Sequence, residues 1–97
     1  MIRSFKDKST HDIFHQINSR HARQLLARDL WRMAIRKIDM IDAAKSPDDL
    51  RALKGNRLEA LHGRLKGYYS IRINDQWRVI FKWKEGAAEE VQIIDYH

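Results

Sequence analysis

The segment YSIRINDQWRVIF, residues 69–81, decides the fold, because it combines two strand-like runs with the polar turn NDQ between them. Side chains alternate along a strand, so Arg72 and Ile73 point to opposite faces of the first run. Trp77 and Arg78 alternate in the same way in the second run. The apolar sets of both runs reach one core only if Ile73 pairs with Trp77, which predicts an antiparallel hairpin with a three-residue loop.

The same register places Arg72 directly opposite Arg78, with Cβ atoms roughly 5 Å apart, on the face away from the core. Like charges in that position repel each other, so a carboxylate or a bound polyanion is expected beside them. Glu59, on the preceding strand candidate, is the predicted carboxylate. Either arginine alone is explained as an exposed residue whose stem covers the sheet. The opposed pair favours an anion site for phosphate, and further basic residues precede it: Lys54, Arg57, Arg64 and Lys66.

The composition indicates a basic globular protein. Its 97 residues suffice for one domain, predicted to span residues 1–97, and 43% of them are hydrophobic. Nineteen Lys and Arg against thirteen Asp and Glu give a net charge of +6, which favours anionic partners such as nucleic acid. With no bilayer-length apolar run and no secretory signal, we expect a cytoplasmic protein without membrane contact. The absence of cysteine excludes disulfides, thiol nucleophiles and thiolate metal sites.

Two histidines have the spacing of one helical face. His11 and His15 are four residues apart, but the intervening residues lack the general-base glutamate of a zinc-protease helix. We therefore interpret both as solvent-facing surface residues and predict no metal site.

The first half of the chain has helical patterning after a short strand. Alternation in IRSF, residues 2–5, predicts a strand with Ile2 and Phe5 on opposite sides. Ser9 is the predicted N-cap of a short helix that follows. The spacing of apolar residues predicts a longer helix over residues 28–44.

Two further features concern helix boundaries. Residues 19–26 are compatible with either loop or helix, because they lack a breaker and have good helix propensity. The stretch SPDDLRAL predicts another helical turn, with Ser46 as its cap and Gly55 ending it in a left-handed conformation.

Beyond Gly55 the pattern changes to the twofold period of strands. The strand candidates are RLEALH, YYSIRI, WRVIFKW and VQIIDY, separated by turn residues. The order of elements predicts an α+β fold, with two main N-terminal helices packed on one face of a mostly antiparallel four- to five-stranded sheet.

Other candidate functional groups lie in the second half of the chain. The terminal pair Tyr96 and His97 offers a phenol and an imidazole for proton transfer, provided that VQIIDY is an interior strand. His62 lies among basic residues, which raises its chance of contacting RNA. Tyr68 is the candidate for stacking on a base, because parity assigns Tyr69 to the core.

The ordered series GNRLEALHGRLKGYYSIRINDQWRVIFKW, followed by the terminal DYH, resembles the HigB-type toxins of the RelE/ParE superfamily. These toxins are also called plasmid maintenance killer proteins. The opening IRSF and the helix ending KIDMIDAA fit the same family, so the resemblance covers most of the chain. It implies a small α+β fold with helices on one face of an antiparallel sheet.

The resemblance further implies a ribosome-dependent ribonuclease that needs no metal or other cofactor and cuts mRNA in the ribosomal A site. The partners it implies are the ribosome, mRNA and a HigA-type helix-turn-helix antitoxin. By position, Arg78 of the QWR motif would stabilise the transition-state charge. Tyr96 of DYH would orient the reacting groups or protonate the leaving oxygen. Arg72 would be a second phosphate ligand.

The resemblance leaves the general base open among Glu59, His62 and His97. Some members carry a histidine in the strand before the GY dipeptide, where this sequence has Glu59. Two other functions are compatible with the sequence: a ParE-like gyrase-inhibiting toxin, and a basic nucleic-acid-binding module without catalysis.

Overall fold

Four antiparallel strands form the sheet on which the rest of the chain is built. In sheet order they are β1 (Glu59–Ala60), β2 (Tyr68–Arg72), β3 (Trp77–Lys84) and β4 (Ala87–Asp95). The structure is a computed structural model, and it describes residues 1–96. β1 is much shorter than the predicted RLEALH, because Arg57 adopts a left-handed conformation (φ 46°) before it and a 3₁₀ turn follows it at Gly63–Leu65.

The hairpin of β2 and β3 has the predicted register. Arg72 is the direct partner of Arg78, and the amide of Ile73 donates to the carbonyl oxygen of Trp77 at 2.9 Å. Three residues, 74–76, close the loop. Ile73 and Val79 belong to the main hydrophobic core, so the prediction that both arginines point away from that core is confirmed.

A β-bulge interrupts the pairing of β3 with β4. The register passes from Ile80 opposite Gln92 to Lys82 opposite Glu89, and Glu90 has a positive φ of 51°. The extra residue reverses the alternation along β4. Ala88, Val91 and Ile93 therefore all enter the core, and β4 begins well before the predicted VQIIDY.

The N-terminal segment runs parallel to β4 at the edge of the sheet. It forms isolated bridges from Ile2 to Ala88 and from Phe5 to Val91, and the amide of Arg3 donates to Ala88 at 2.8 Å. Ile2 and Phe5 both pack against the core, so the prediction that they lie on opposite sides is wrong. The N-terminal segment pairs with β4 across the bulge, where Ala88 and Val91 both face the core, and so Ile2 and Phe5 face the core as well.

Helices cover one face of the sheet. They are α1 (Lys8–Phe14), α2 (Arg20–Leu25), α3 (Arg28–Ala43) and α4 (Asp48–Arg51), with a 3₁₀ turn at Lys54–Asn56. On α3, the buried residues are Trp31, Ala34, Ile38 and Ile41. None of these helices is both long and apolar enough to cross a membrane.

The helix boundaries differ from the sequence prediction at several points. Asp7 caps α1 by accepting from the amide of Thr10, whereas the predicted cap, Ser9, lies inside the helix and donates to the carbonyl of His21 at 3.1 Å. Residues 19–26 are mainly helical, with Ser19 as the cap of α2. Asp7 is the cap because it lies two residues before Ser9, where its carboxylate accepts from an amide that has no partner within the helix.

The turn around α4 also differs. Asp49 accepts from the amides of Lys45 (2.8 Å) and Ser46 (3.3 Å), so Ser46 does not supply the capping group. Gly55 lies in the 3₁₀ turn without a positive φ, and Arg57 is the left-handed residue instead.

Asp12, a buried residue of α1, links α1 to α2 through histidines. His11 Nδ1 lies 2.9 Å from Asp12 Oδ1, and His21 Nε2 lies 2.7 Å from Oδ2. His15 is solvent-facing as predicted, but His11 is only half exposed and packs its ring 4.3 Å from that of His15.

In residues 1–96 no group of three or more His, Cys, Asp or Glu is placed to hold a metal ion.

We predict that Ile38→Ala lowers the free energy of unfolding by about 2–5 kcal/mol, because Ile38 is fully buried and its loss leaves a cavity. Met33→Ala on the same helix is the matched control, since Met33 is 44% exposed. Urea denaturation of the two variants measures the difference. Equal stabilities would contradict the assignment of the inner face of α3.

A second prediction concerns pH. The hydrogen bond from His11, then that from Ser19, and the hydrogen bond and charge of His21 lower the pKa of Asp12 from 3.8 to about 2, against the effect of burial. A carboxylate whose pKa falls on folding stabilises the protein above its unfolded pKa, and this stabilisation is lost as the pH falls from about 4 to 2. Asp12→Asn should remove that part of the pH dependence.

Urea denaturation at several pH values between 5 and 2 tests this prediction. The slope of unfolding free energy against pH gives the number of protons taken up on unfolding, and Asp12→Asn should lower this number by up to about one. Asp39→Asn, which removes an exposed carboxylate from α3, controls for the loss of charge. An Asp12→Asn slope equal to that of the wild type would show that the histidine contacts do not form.

Candidate active site

The face of the sheet opposite the helices, here called the outer face, carries the candidate site. Arg72 and Arg78 lie side by side on it, and the register pairs Arg78 with Ile94 of β4. Tyr96 follows two residues later, and its ring lies beneath the guanidinium of Arg78, 5.1 Å from centroid to Cζ. Two arginines and a phenol thus meet at one end of the sheet.

Arg72 is held by a carboxylate from the hairpin loop. Its Nη2 forms a short ion pair with Asp75 Oδ1. Its Nε is buried and has no hydrogen-bond acceptor within residues 1–96. The side chain of Arg72 is 26% exposed, so part of it reaches the surface while its buried Nε is unpaired within residues 1–96.

Arg78 is fixed by backbone groups and by an aromatic ring. Its Nη1 donates a short hydrogen bond to the carbonyl oxygen of Asn74. The same nitrogen donates a second hydrogen bond, of 3.1 Å, to the carbonyl oxygen of Trp77. The ring of Tyr96 adds a cation–π contact. These partners are neutral, and no carboxylate of residues 1–96 forms an ion pair with Arg78.

The hairpin loop also positions Tyr96. Asn74 Oδ1 accepts from the amides of Gln76 (2.9 Å) and Trp77 (2.8 Å), which fixes the turn. The carbonyl of Gln76 accepts from the amide of Tyr96 at 2.8 Å, and the Gln76 side chain donates to Asp95 at 3.0 Å. The loop that holds Arg78 therefore holds Tyr96 as well.

The electrostatics show an excess of positive charge around this loop. The hydrogen bond and charge of Arg72, followed by the charges of Arg57 and Arg78, hold the pKa of Asp75 below its ordinary value. Burial first, and then the charges of Arg36 and Arg72, lower the pKa of Lys37. An additional anion at this end of the sheet would therefore be stabilised.

Glu59 lies on the outer face but is not the carboxylate that balances the arginines. It is the direct partner of Ser70, which lies two residues before Arg72 on the same face of β2, and it is exposed. The carboxylate found beside Arg72 is that of Asp75, so the prediction that Glu59 would pair with the arginines is wrong. The loop residue reaches Arg72 from within the hairpin, three residues away in sequence.

A small apolar cluster covers the middle of the outer face. Leu61, Tyr68 and Ile80 are buried in it, with Leu65, Ile94 and Tyr96 packed alongside. Tyr68 is only 8% exposed, its hydroxyl donates to Glu90 at 3.1 Å, and Lys82 lies 5.1 Å above its ring. Its ring therefore offers little free surface for stacking, and burial together with Glu90 raises its pKa.

The other predicted RNA-binding residues are exposed on segments that flank β1. They are Lys54, Arg57, His62, Arg64 and Lys66. Arg57 is close enough to Asp75 to lower its pKa, whereas within the described part of the chain no contact places the other four against the two arginines. His97, a predicted catalytic residue, lies outside the described residues.

Sequence reasoning missed two groups at this site. Asp75 had a detectable signal, since an acidic residue three positions after Arg72 in a tight loop can fold back onto it. Lys37 had none, because α3 is distant in sequence. Lys37 of α3 donates to Asn56 Oδ1 at 2.6 Å. The charge of Arg72 contributes to lowering the pKa of Lys37, so this part of α3 lies near the edge of the site.

Comparison with known families gives one match that spans nearly the whole chain. The family described as RelE-like toxins of the type II toxin–antitoxin system HigB matches residues 3–97. Toxin HigB-1 of Vibrio cholerae serotype O1 is 42% identical over 88 residues, which cover 91% of this chain and 90% of that protein. Endoribonuclease HigB of Proteus vulgaris is 32% identical over the full length of both chains.

Solved structures share the fold at low sequence identity. The YoeB–YefM complex from Staphylococcus aureus contains a chain with a TM-score of 0.61 and 16% identity, covering 100% of this chain and 98% of that one. The YoeB dimer from the same organism has a TM-score of 0.62 and 17% identity, covering 99% and 97%. These similarities extend to the arrangement of helices and sheet.

Proposed function

This chain belongs to the HigB-like family of RelE-like toxins of type II toxin–antitoxin systems, and from that premise we propose that it is a ribosome-dependent endoribonuclease. Its substrate is mRNA in the ribosomal A site, and its effect is to inhibit translation. The observation that carries the proposal is the pair of opposed arginines with Tyr96 beneath one of them. A full-length relative named as an endoribonuclease supports it.

The proposed reaction is attack of a ribose 2′-hydroxyl on the adjacent phosphate. A base takes the proton of the 2′-hydroxyl, its oxygen bonds to phosphorus, and the bond to the 5′-oxygen breaks. The products are a 2′,3′-cyclic phosphate and a 5′-hydroxyl, once an acid has protonated the leaving oxygen. Negative charge develops on the phosphorane, so positioned cations accelerate this step.

Arg72 and Arg78 supply that positive charge in the proposed mechanism. Arg78 is preorganised, because the Asn74 and Trp77 carbonyls and the Tyr96 ring hold its guanidinium before substrate binds. Preorganised donors need little rearrangement during the reaction, which is why they stabilise a transition state better than water does.

Proton transfer is assigned to Tyr96 and to one of three candidate bases. Tyr96, next to Arg78, orients the phosphate or protonates the leaving oxygen. The candidate bases are Glu59, His62 and His97. Glu59 has the support of its strand position, since it lies on the outer face opposite Ser70, two residues before Arg72.

The proposed partners follow from the same family membership. The flanking residues Lys54, Arg57, His62, Arg64 and Lys66 bind the RNA backbone, and Tyr68 supports them from the apolar cluster. The ribosome delivers the message in the cytoplasm. A HigA-type helix-turn-helix antitoxin holds the toxin inactive, and the YoeB–YefM complex from Staphylococcus aureus is a toxin–antitoxin assembly built on the same fold.

The first test is expression of the wild type and of Arg78→Ala in cells, with mapping of mRNA 5′ ends. The wild type should arrest growth and produce new 5′ ends within coding regions. Arg78→Ala should reduce cleavage by about 10²–10³-fold, the range for loss of one transition-state donor. Arg51→Ala is the matched control, since it removes an exposed arginine from α4 and should cleave normally.

Growth arrest with intact transcripts and stalled DNA gyrase would refute the ribonuclease and favour the gyrase-inhibiting alternative. Binding of RNA without cleavage and without growth arrest would favour a non-catalytic nucleic-acid-binding module.

A further prediction separates the hydroxyl of Tyr96 from its ring. Tyr96→Phe keeps the ring beneath Arg78 and the packing of the apolar cluster, but it removes the proton donor. Cleavage of mRNA on purified ribosomes should fall by about 10²-fold or more, while the melting temperature stays near that of the wild type.

The matched control is Tyr69→Phe, which removes a hydroxyl from the opposite face of the same hairpin and should cleave normally. A wild-type cleavage rate for Tyr96→Phe would remove the Tyr96 hydroxyl from the mechanism.

A further inference from the structure

One exposed carboxylate lies among three arginines at the tip of the hairpin. The side chain of Asp75 is 97% exposed, yet it forms an ion pair with Arg72. The charges of Arg57 and Arg78 act on it as well. Asp75 thus occupies the same cationic environment that a phosphate would enter.

The ion pair leaves Arg72 only partly satisfied. Asp75 takes Nη2, while Nε is buried without an acceptor in residues 1–96. A guanidinium presents its donors as a planar fork, and two oxygens of one anion can accept from that fork side by side. A phosphodiester has two such non-bridging oxygens, so it can satisfy donors that Asp75 leaves unused.

Asp75 can leave without disturbing the rest of the loop. The turn is fixed by Asn74, which accepts two amide hydrogen bonds, and by Gln76, which binds β4 at Asp95 and the amide of Tyr96. Asp75 contributes none of these contacts. Because its carboxylate is solvent-exposed, rotation of the side chain into water costs little.

From these contacts we propose that Asp75 is a built-in competitor for the phosphate site. In the free protein its carboxylate occupies Arg72, and a phosphodiester of single-stranded RNA displaces it to bind Arg57, Arg72 and Arg78. This inference deepens the proposed function, on whose site it rests. The competitor weakens binding of every phosphodiester equally, so only RNA that gains further contacts, as on the ribosome, binds well.

The test is binding of a short 2′-O-methyl RNA oligonucleotide, which lacks the attacking hydroxyl, measured by fluorescence anisotropy without ribosomes at one fixed salt concentration. Asp75→Asn should bind about two- to fivefold more tightly than the wild type, the range expected for removing one exposed ion pair. Asp75→Ser should behave in the same way, which separates loss of the charge from effects of the amide.

Two controls make the test specific. Asp48→Asn breaks an exposed ion pair of the same i, i+3 spacing, with Arg51 on α4, and changes the net charge by the same amount. It should leave oligonucleotide binding unchanged. In an Arg72→Ala background, Asp75→Asn should bring no gain, because the competitor has nothing to block.

The outcomes are distinct. A gain for Asp75→Asn that requires Arg72 and is absent from Asp48→Asn supports the proposal. Equal or weaker binding by Asp75→Asn, a gain that persists without Arg72, an equal gain for Asp48→Asn, or no binding by any variant overturns it. Because the assay involves no cleavage, failure of the ribonuclease would appear separately, as intact mRNA on ribosomes beside an unchanged binding result.

Discussion

The rest of the structure depends on the pairing of Ile73 with Trp77 across a three-residue loop. A loop one residue shorter would turn one strand over and send an arginine into the core, where an unpaired charge is very costly. With this loop, the apolar residues of both strands enter the core that also holds the buried face of α3, and Arg72 and Arg78 share the outer face. One constraint therefore determines both the core and the site.

That constraint creates a repulsion that the molecule offsets locally. Arg72 has the carboxylate of Asp75, and Arg78 has the carbonyl oxygen of Asn74 and the ring of Tyr96. Asn74 and Asp75 belong to the same short loop. Because these partners are exposed or neutral, they hold the guanidinium groups in place without consuming their capacity to bind an anion.

Short-range patterns predicted the hairpin register, the long helix and the class of fold, because each depends on a period within a few residues. The misses depend on distant contacts. The bulge at Glu90 reverses the alternation of β4, and it explains why Ile2 and Phe5 share a side. β1 is short because Arg57 adopts a left-handed conformation, and neither Arg57 nor its neighbours in the sequence are residue types that indicate such a conformation. At the site, Arg72 lies opposite Arg78 as predicted and Tyr96 lies beneath Arg78, while Asp75 takes the place expected for Glu59.

The position of Arg57 shows how the helical layer reaches the outer face. Asn56 is fully buried, accepts from Lys37 of α3 and donates to the carbonyl of Leu50 at 3.2 Å. These bonds fix the backbone immediately before Arg57, and a left-handed residue held on one side by a buried anchor has few other conformations. Burial and the neighbouring arginines make the charged form of Lys37 costly, and its hydrogen bond to Asn56 partly offsets that cost. Arg57, the third arginine of the proposed phosphate site, is thus positioned by α3 and α4, and Arg72 and Arg78 by the register of a hairpin.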